Sequence, residues 1–172
     1  NKKELNIEEA KKKLRKWGKT KYYLSHSEMQ YKFIKPKLVC EKYLETNQGA
    51  VPFDYKIYCF NGVPKAILVM IDRGKETKGF FMSPKWEFIS YVNKYKKAET
   101  IPERPASLDT MIETASKLSK PFPFVRIDYY QVGDKAIFGE MTFTPAGGIY
   151  TSKTVINGVK MGELLDINKI NI

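Results

Sequence analysis

The sequence predicts an α+β fold in which two or three helices pack on one side of a mainly antiparallel sheet. Residues 124–143 alternate apolar and polar side chains on both arms of a turn, which is typical of a hairpin with one buried face. Asn61-Gly62 lies between two apolar runs and favours a two-residue type I′ turn, which indicates a second hairpin. Apolar residues at helical spacing behind capping residues predict the helices.

Capping residues and patterns of apolar residues predict the remaining helices and strands. One helix is expected from Asn6 to Gly18, because asparagine caps helices and glycine ends them. Another begins after Ser107 and runs to about Lys120, where Pro121 stops it. Strands are expected at 37–42, 54–60, 63–73, 77–82 and 85–91, and a short helix near 159–165.

The hairpin at 124–143 sets two acidic residues against each other. Burying its apolar face fixes the register, since a slip of one residue would move every side chain to the other face. In that register Asp128 lies opposite Glu140, and Arg126 lies opposite Thr142. The register requires an odd loop length, which a three-residue turn at 133–135 would supply.

Two facing carboxylates repel each other unless a cation lies between them. A divalent cation bound by oxygens, with Arg126 nearby for phosphate, accounts for the pair. A solvated surface on which Arg126 neutralises Asp128 is the alternative. The small-residue run at 144–148 follows directly and would let a ligand approach the backbone, which favours the metal site.

Composition indicates one packed domain, since 42% of the 172 residues are hydrophobic and 13% aromatic. No apolar run approaches the roughly 20 residues of a membrane span, and the N-terminus lacks the apolar core of a signal peptide. Cys40 and Cys59 lie in apolar runs and are expected to be buried free thiols. His26 is the one histidine, which argues against zinc and Ser-His-Asp sites. We expect a cytoplasmic protein.

The formal net charge of +11 favours anionic partners, either small molecules or polymers. Much of the charge lies in the first helix, where Ile7, Leu14 and Trp17 share an apolar stripe and the lysines occupy the opposite face. A solvated helix face explains this pattern better than nucleic-acid binding does. Peripheral association with an anionic membrane stays open.

Four segments carry a family resemblance: VCEKYL at 39–44, FDYKIYCFNG at 53–62, FPFVRIDY at 122–129 and EMTFTPAG at 140–147. Their order resembles the second half of an ATP-grasp domain. Their amino-acid sequences most resemble the TupA-like branch, which is linked to teichuronopeptide and surface-polysaccharide biosynthesis. The resemblance covers residues 1–166, nearly the whole chain.

The resemblance implies binding of ATP and Mg²⁺. The adenine-binding hinge is matched by Glu41, Lys42, Tyr43 and Leu44. Asp54 is similar to the acid on the ribose side, and Lys56, Arg73 and Arg126 match basic residues that face phosphate or acyl-phosphate. The magnesium ligands are matched by Asp128 and Glu140, with Thr142 where many ATP-grasp enzymes carry asparagine.

The reaction implied by the resemblance is an ATP-dependent ligation of a carboxylate to an amine through an acyl-phosphate. Residues 1–172 would form a single domain that is a fragment, the second half of an ATP-grasp domain. The N-terminal subdomain and the glycine-rich phosphate loop have no counterpart in the sequence, so the fragment alone is expected to bind nucleotide poorly and to be inactive.

Two other functions remain as alternatives. One is a glycosyltransferase of a polysaccharide cluster, although the sequence has no Asp-x-Asp motif for a sugar nucleotide. The other is a non-catalytic basic module that binds nucleic acid or an anionic polymer. Tyr22, Tyr23 and Phe33 lie among lysines, as that second function requires.

Overall fold

The structure is a computed structural model that describes residues 4–26, 28–44, 52–72, 76–92, 94–148, 155–156 and 158–169. The described residues belong to two compact units. The first comprises Asn1–Tyr43 and Ala146–Tyr150, and the second comprises Leu44–Pro145 and Thr151–Ile172. Among the described residues, every helix is too short or too polar to cross a membrane.

The first unit contains helix α1 (Ile7–Gly18), helix α2 (Tyr22–Ser25) and a 3-10 turn at Met29–Phe33. The predicted cap of α1 is confirmed, because Asn6 Oδ1 accepts hydrogen bonds from the backbone N–H groups of Glu8 and Glu9 at 3.1 Å each. None of the described residues of α1 is buried, so its apolar stripe is largely exposed within the part of the chain that the structure describes. The strand predicted at 37–42 is wrong, since this segment pairs with no strand in the described chain.

The second unit is built on an antiparallel sheet whose six described strands lie in the order β4-β3-β2-β1-β5-β6. The strands are β1 (Asp54–Phe60), β2 (Val63–Ile71), β3 (Lys78–Met82), β4 (Phe88–Tyr91), β5 (Phe124–Val132) and β6 (Lys135–Thr142). Helix α3 spans Leu108–Ser119. The predicted α+β fold with a mainly antiparallel sheet is therefore confirmed.

Helix α3 covers one face of the sheet. Its Met111 and Ala115 are buried in the same apolar cluster as Ile57 and Ile127 of β1 and β5. The helix begins directly after Ser107, as predicted, but the Ser107 hydroxyl donates to Gln131 Oε1 at 2.7 Å and does not cap the helix.

Part of the opposite face is covered by the C-terminal segment, which contains β7 (Val155–Ile156), β8 (Val159–Lys160) and 3-10 turns at Met161–Leu164 and Ile167–Lys169. Ile156 and Met161 pack on Phe60 and Phe81 of the sheet. Asn61 Nδ2 donates to the carbonyl oxygen of Asp166 at 2.8 Å, and the Asp166 N–H donates to Asn61 Oδ1 at 3.2 Å. The rest of this face carries the charged side chains.

The two predicted hairpins are present. Asn61 and Gly62 both have positive φ angles, +48° and +77°, as a type I′ turn requires. In the other hairpin Asp128 pairs with Glu140 and Arg126 with Thr142, which confirms the predicted register.

The predicted three-residue turn at 133–135 is wrong, because Val132 pairs with Lys135 and leaves a two-residue turn. The extra residue lies in a β-bulge instead, where Gly139 faces the Asp128–Tyr129 step. A Cβ atom at Gly139 would lie 3.0 Å from the Asp128 carbonyl oxygen, so glycine suits this close approach.

The two cysteines are expected to differ in reactivity. Cys59 is buried, and burial raises the pKa of its thiol to about 11, although a hydrogen bond with Ser119 lowers it slightly. Cys40 is exposed, so the prediction of a buried thiol is wrong for this residue. Iodoacetamide at about pH 8 should alkylate Cys40 in the folded protein and Cys59 only after denaturation, because the thiolate is the reacting form. A Cys40→Ser variant that is alkylated while folded would contradict this.

Candidate functional site

A cluster of charged side chains lies on the sheet face opposite α3. On β1 and β5 its members alternate with buried apolar residues, and strand pairing places the β6 members on the same face. They are Asp54 and Lys56 of β1, Arg126 and Asp128 of β5, and Glu140 of β6, together with the uncharged hydroxyl group of Thr142 on β6. The ladder places Lys56 beside Asp128 and Asp128 beside Glu140, so three neighbouring strands contribute to this charged cluster.

Asp128 lies at the centre of the charged cluster, and its side chain is 3% exposed. Arg126 Nε donates to Asp128 Oδ1 at 2.7 Å, and Arg126 Nη2 donates to Oδ2 at 2.8 Å. Lys56 Nζ also contacts Asp128 Oδ2 and lies 2.9 Å from Oδ2 of the buried Asp54. Lys56 thus bridges two buried acids, and both oxygens of Asp128 accept hydrogen bonds from cations.

Glu140 forms the solvent side of the charged cluster, with a side chain that is 63% exposed. Arg126 Nη2 donates to Glu140 Oε1 and to Thr142 Oγ1, each at 2.9 Å. The Thr142 hydroxyl in turn donates to Glu140 Oε1 at 3.2 Å. Arg126 is therefore the cation that the facing carboxylates require, and Thr142 orients the outer carboxylate.

The charge state of Arg126 is secured by its neighbours. Burial lowers the pKa of its guanidinium, but the hydrogen bonds and charge of Asp128 outweigh burial and raise the pKa above its ordinary value. Three carboxylates and two cations give the charged cluster a formal charge of −1.

The residues of the charged cluster have the donor chemistry that Mg²⁺ prefers, since carboxylate and hydroxyl oxygens share one face. Within the part of the chain that the structure describes, no group of three or more Asp, Glu, His or Cys residues is arranged to hold a metal. Mg²⁺ is commonly held by one or two carboxylates and completes its shell with water and phosphate oxygens. Asp128 and Glu140 could supply these two carboxylates. The metal would then take the place of the Arg126 N–H groups that now donate to their oxygens.

The structure does not test the roles predicted for the other site residues. Glu41, Lys42 and Tyr43 belong to the first unit, in a segment without helix or strand, and Leu44 is the first residue of the second unit. Arg73 lies outside the described residues. The adenine-binding and phosphate-binding roles of these residues stay predictions.

Sequence reasoning missed the connection between β1 and the hairpin. Asp54 and Lys56 were assigned to ribose and phosphate, whereas in the structure both are held in ion pairs next to Asp128. The only local signal was their spacing of two residues, which places both side chains on the same face of a strand.

Comparison with known proteins identifies the family. A family model described as TupA-like ATPgrasp matches residues 1–164. A search of curated proteins and a search of solved structures each found no match to the chain. Because the family match spans nearly all of the 172 residues, the chain belongs to the TupA-like ATP-grasp family.

Proposed function

We propose that this chain forms the metal- and phosphate-binding part of an ATP- and Mg²⁺-dependent ligase that joins a carboxylate to an amine. The observation that carries the proposal is the joint contact of Arg126 with Asp128 and Glu140 on one sheet face of an ATP-grasp family member. This arrangement supplies oxygens for a cation beside a guanidinium for phosphate.

In the proposed reaction the γ-phosphoryl group of ATP passes to a carboxylate oxygen and ADP leaves. The amine then attacks the carbonyl carbon of the acyl-phosphate, loses a proton and expels phosphate, so that an amide forms. A bound Mg²⁺ would offset charge on the transferring phosphoryl group.

The residues of the chain have separate roles in this proposal. Asp128 and Glu140 hold the metal, and Thr142 orients Glu140 through its hydroxyl group. Arg126 offsets charge on the phosphate and acyl-phosphate oxygens, and Lys56 and Arg73 are assigned to the same task. Because Lys56 is already held between two buried acids, it acts on phosphate at longer range than Arg126 does.

The proposal extends to the nucleotide and to the biological setting. Residues 41–44 would hold adenine through backbone groups, with Asp54 on the ribose side. The net charge of +11 supports an anionic substrate, and the resemblance to the TupA-like branch is the basis for assigning that substrate to cell-surface polysaccharide or teichuronopeptide biosynthesis. The enzyme would act in the cytoplasm, where ATP is supplied.

Calorimetric titration of the intact protein with Mg-ATP and Mg-GTP tests the proposal. We expect ATP to bind more tightly, and Glu140→Gln to weaken Mg-ATP binding by at least about tenfold. Glu113→Gln is a matched control, because Glu113 is 65% exposed and pairs with Lys117 on α3. Equal affinity for both nucleotides, no binding of either, or the same loss in both variants would contradict the proposal.

A further inference from the structure

In the charged cluster Arg126 occupies the oxygens that a metal ion would need. Its guanidinium donates to both oxygens of Asp128 and to one oxygen of Glu140, and its side chain is 14% exposed. A metal ion that binds Asp128 and Glu140 therefore competes with Arg126 for these oxygens. The present contacts form a closed ion-pair network.

Either ligand alone leaves one charged group of the cluster without its partner. With a formal charge of −1, the cluster becomes +1 when a dication is added, and Arg126 is left half-buried without its partners. An oxyanion without metal makes the cluster more negative and competes with Asp128 for Arg126. When both are present, the carboxylates pair with the metal and the guanidinium pairs with the oxyanion.

Arg126 and Lys56 differ in how readily they can leave their carboxylates. Lys56 lies between Asp54 and Asp128, whose side chains are 1% and 3% exposed. Arg126 reaches Glu140 at the solvent side, where water and ligands have access. Arg126 is therefore the cation that exchanges, and Lys56 stays in place.

We infer that the metal and a phosphate group bind the charged cluster with positive cooperativity, because the metal takes the carboxylate oxygens from Arg126 and the released guanidinium binds the phosphate. The inference rests on the proposed function and adds a coupling between metal binding and phosphate binding. By linkage, the factor by which phosphate tightens metal binding equals the factor by which metal tightens phosphate binding.

The test uses Mn²⁺ in place of Mg²⁺ and inorganic phosphate as the anion, with free Mn²⁺ followed by electron paramagnetic resonance and corrected for Mn²⁺–phosphate complexes. Phosphate should lower the Kd of the full chain for Mn²⁺ by at least about fivefold. Phosphate titrated at saturating Mn²⁺ should gain the same factor. Glu140→Gln should lose Mn²⁺ binding, which assigns the signal to this site.

Arg126→Gln separates the exchange from a simple charge effect. Because the competing guanidinium is gone, Mn²⁺ alone should bind this variant more tightly than the unaltered chain, and phosphate should give no further gain. Arg104→Gln is the matched control, since Arg104 pairs with Asp109 at the surface. It should retain the phosphate effect. If Arg126→Gln does not fold, Arg126→Lys takes its place: an ammonium group cannot donate to Asp128 and Glu140 as the planar guanidinium does, so Mn²⁺ alone should again bind more tightly than to the unaltered chain.

The possible failures are distinguishable. If Mn²⁺ binds and Glu140→Gln removes it, but phosphate leaves the Kd unchanged, the inference is overturned and the proposed function stands. If Mn²⁺ alone binds Arg126→Gln no more tightly than the unaltered chain, the exchange is likewise overturned. If Mn²⁺ does not bind in the presence or in the absence of phosphate, both the inference and the proposed metal site are overturned.

Discussion

Asp128→Asn is expected to lower the free energy of unfolding by about 3–5 kcal/mol in the absence of metal. The substitution keeps the shape of the side chain but removes the negative charge that both Lys56 and Arg126 contact. Asp128 is buried, so water cannot replace its interactions with these cations. Chemical denaturation at neutral pH, with circular dichroism as the signal, measures the change.

Glu140→Gln is the matched comparison, because it removes the other carboxylate that Arg126 contacts in the same hairpin. Glu140 is largely exposed, so the cost should be about 1 kcal/mol or less. Similar losses in the two variants would mean that burial does not separate the roles of these acids. An unchanged Asp128→Asn protein would show that its ion pairs contribute nothing to stability.

Lys56→Met should also cost about 3–5 kcal/mol, since it leaves two buried carboxylates next to each other without the ammonium group that bridges them. Methionine has nearly the length of lysine, so the loss reports charge more than volume. The variant is predicted to denature at a lower urea concentration with an unchanged slope.

Lys65→Met provides the control for Lys56→Met. Lys65 is an exposed residue of the neighbouring strand β2. It is the extra residue of a β-bulge on β2, opposite the step from Tyr58 to Cys59 on β1. Its replacement should change the free energy of unfolding by no more than about 0.5 kcal/mol. If both lysine variants lost the same stability, the bridging role of Lys56 would be refuted.

The local parts of the fold were predictable because local chemistry determines them. Alternation fixed the pairing of Asp128 with Glu140, since one face of the hairpin must be buried. Asn61-Gly62 specified its turn because both residues tolerate positive φ. The strand predicted at 37–42 was wrong because β propensity alone does not supply a partner strand.

The candidate site was predictable only in part, for a physical reason. The sequence places Asp128 and Glu140 on one face and gives them the same character, whereas the structure buries Asp128 among its ion pairs and leaves Glu140 facing solvent. Burial depends on the neighbouring strand β1, and pairing between distant segments leaves no local signal. The bulge at Gly139 was not predictable either. A three-residue turn and a two-residue turn with a one-residue bulge give the same pairing of Asp128 with Glu140.

The contact between Lys56 and Asp128 joins residues that are 72 positions apart. The β1–β2 and β5–β6 hairpins each close through a two-residue turn, so both can form early from nearby segments of the chain. Pairing of β1 with β5 must close a much longer loop before its contacts are gained. We therefore expect the charged cluster to be completed when the two hairpins dock, and a chain with only one hairpin formed lacks the ion pair between Lys56 and Asp128.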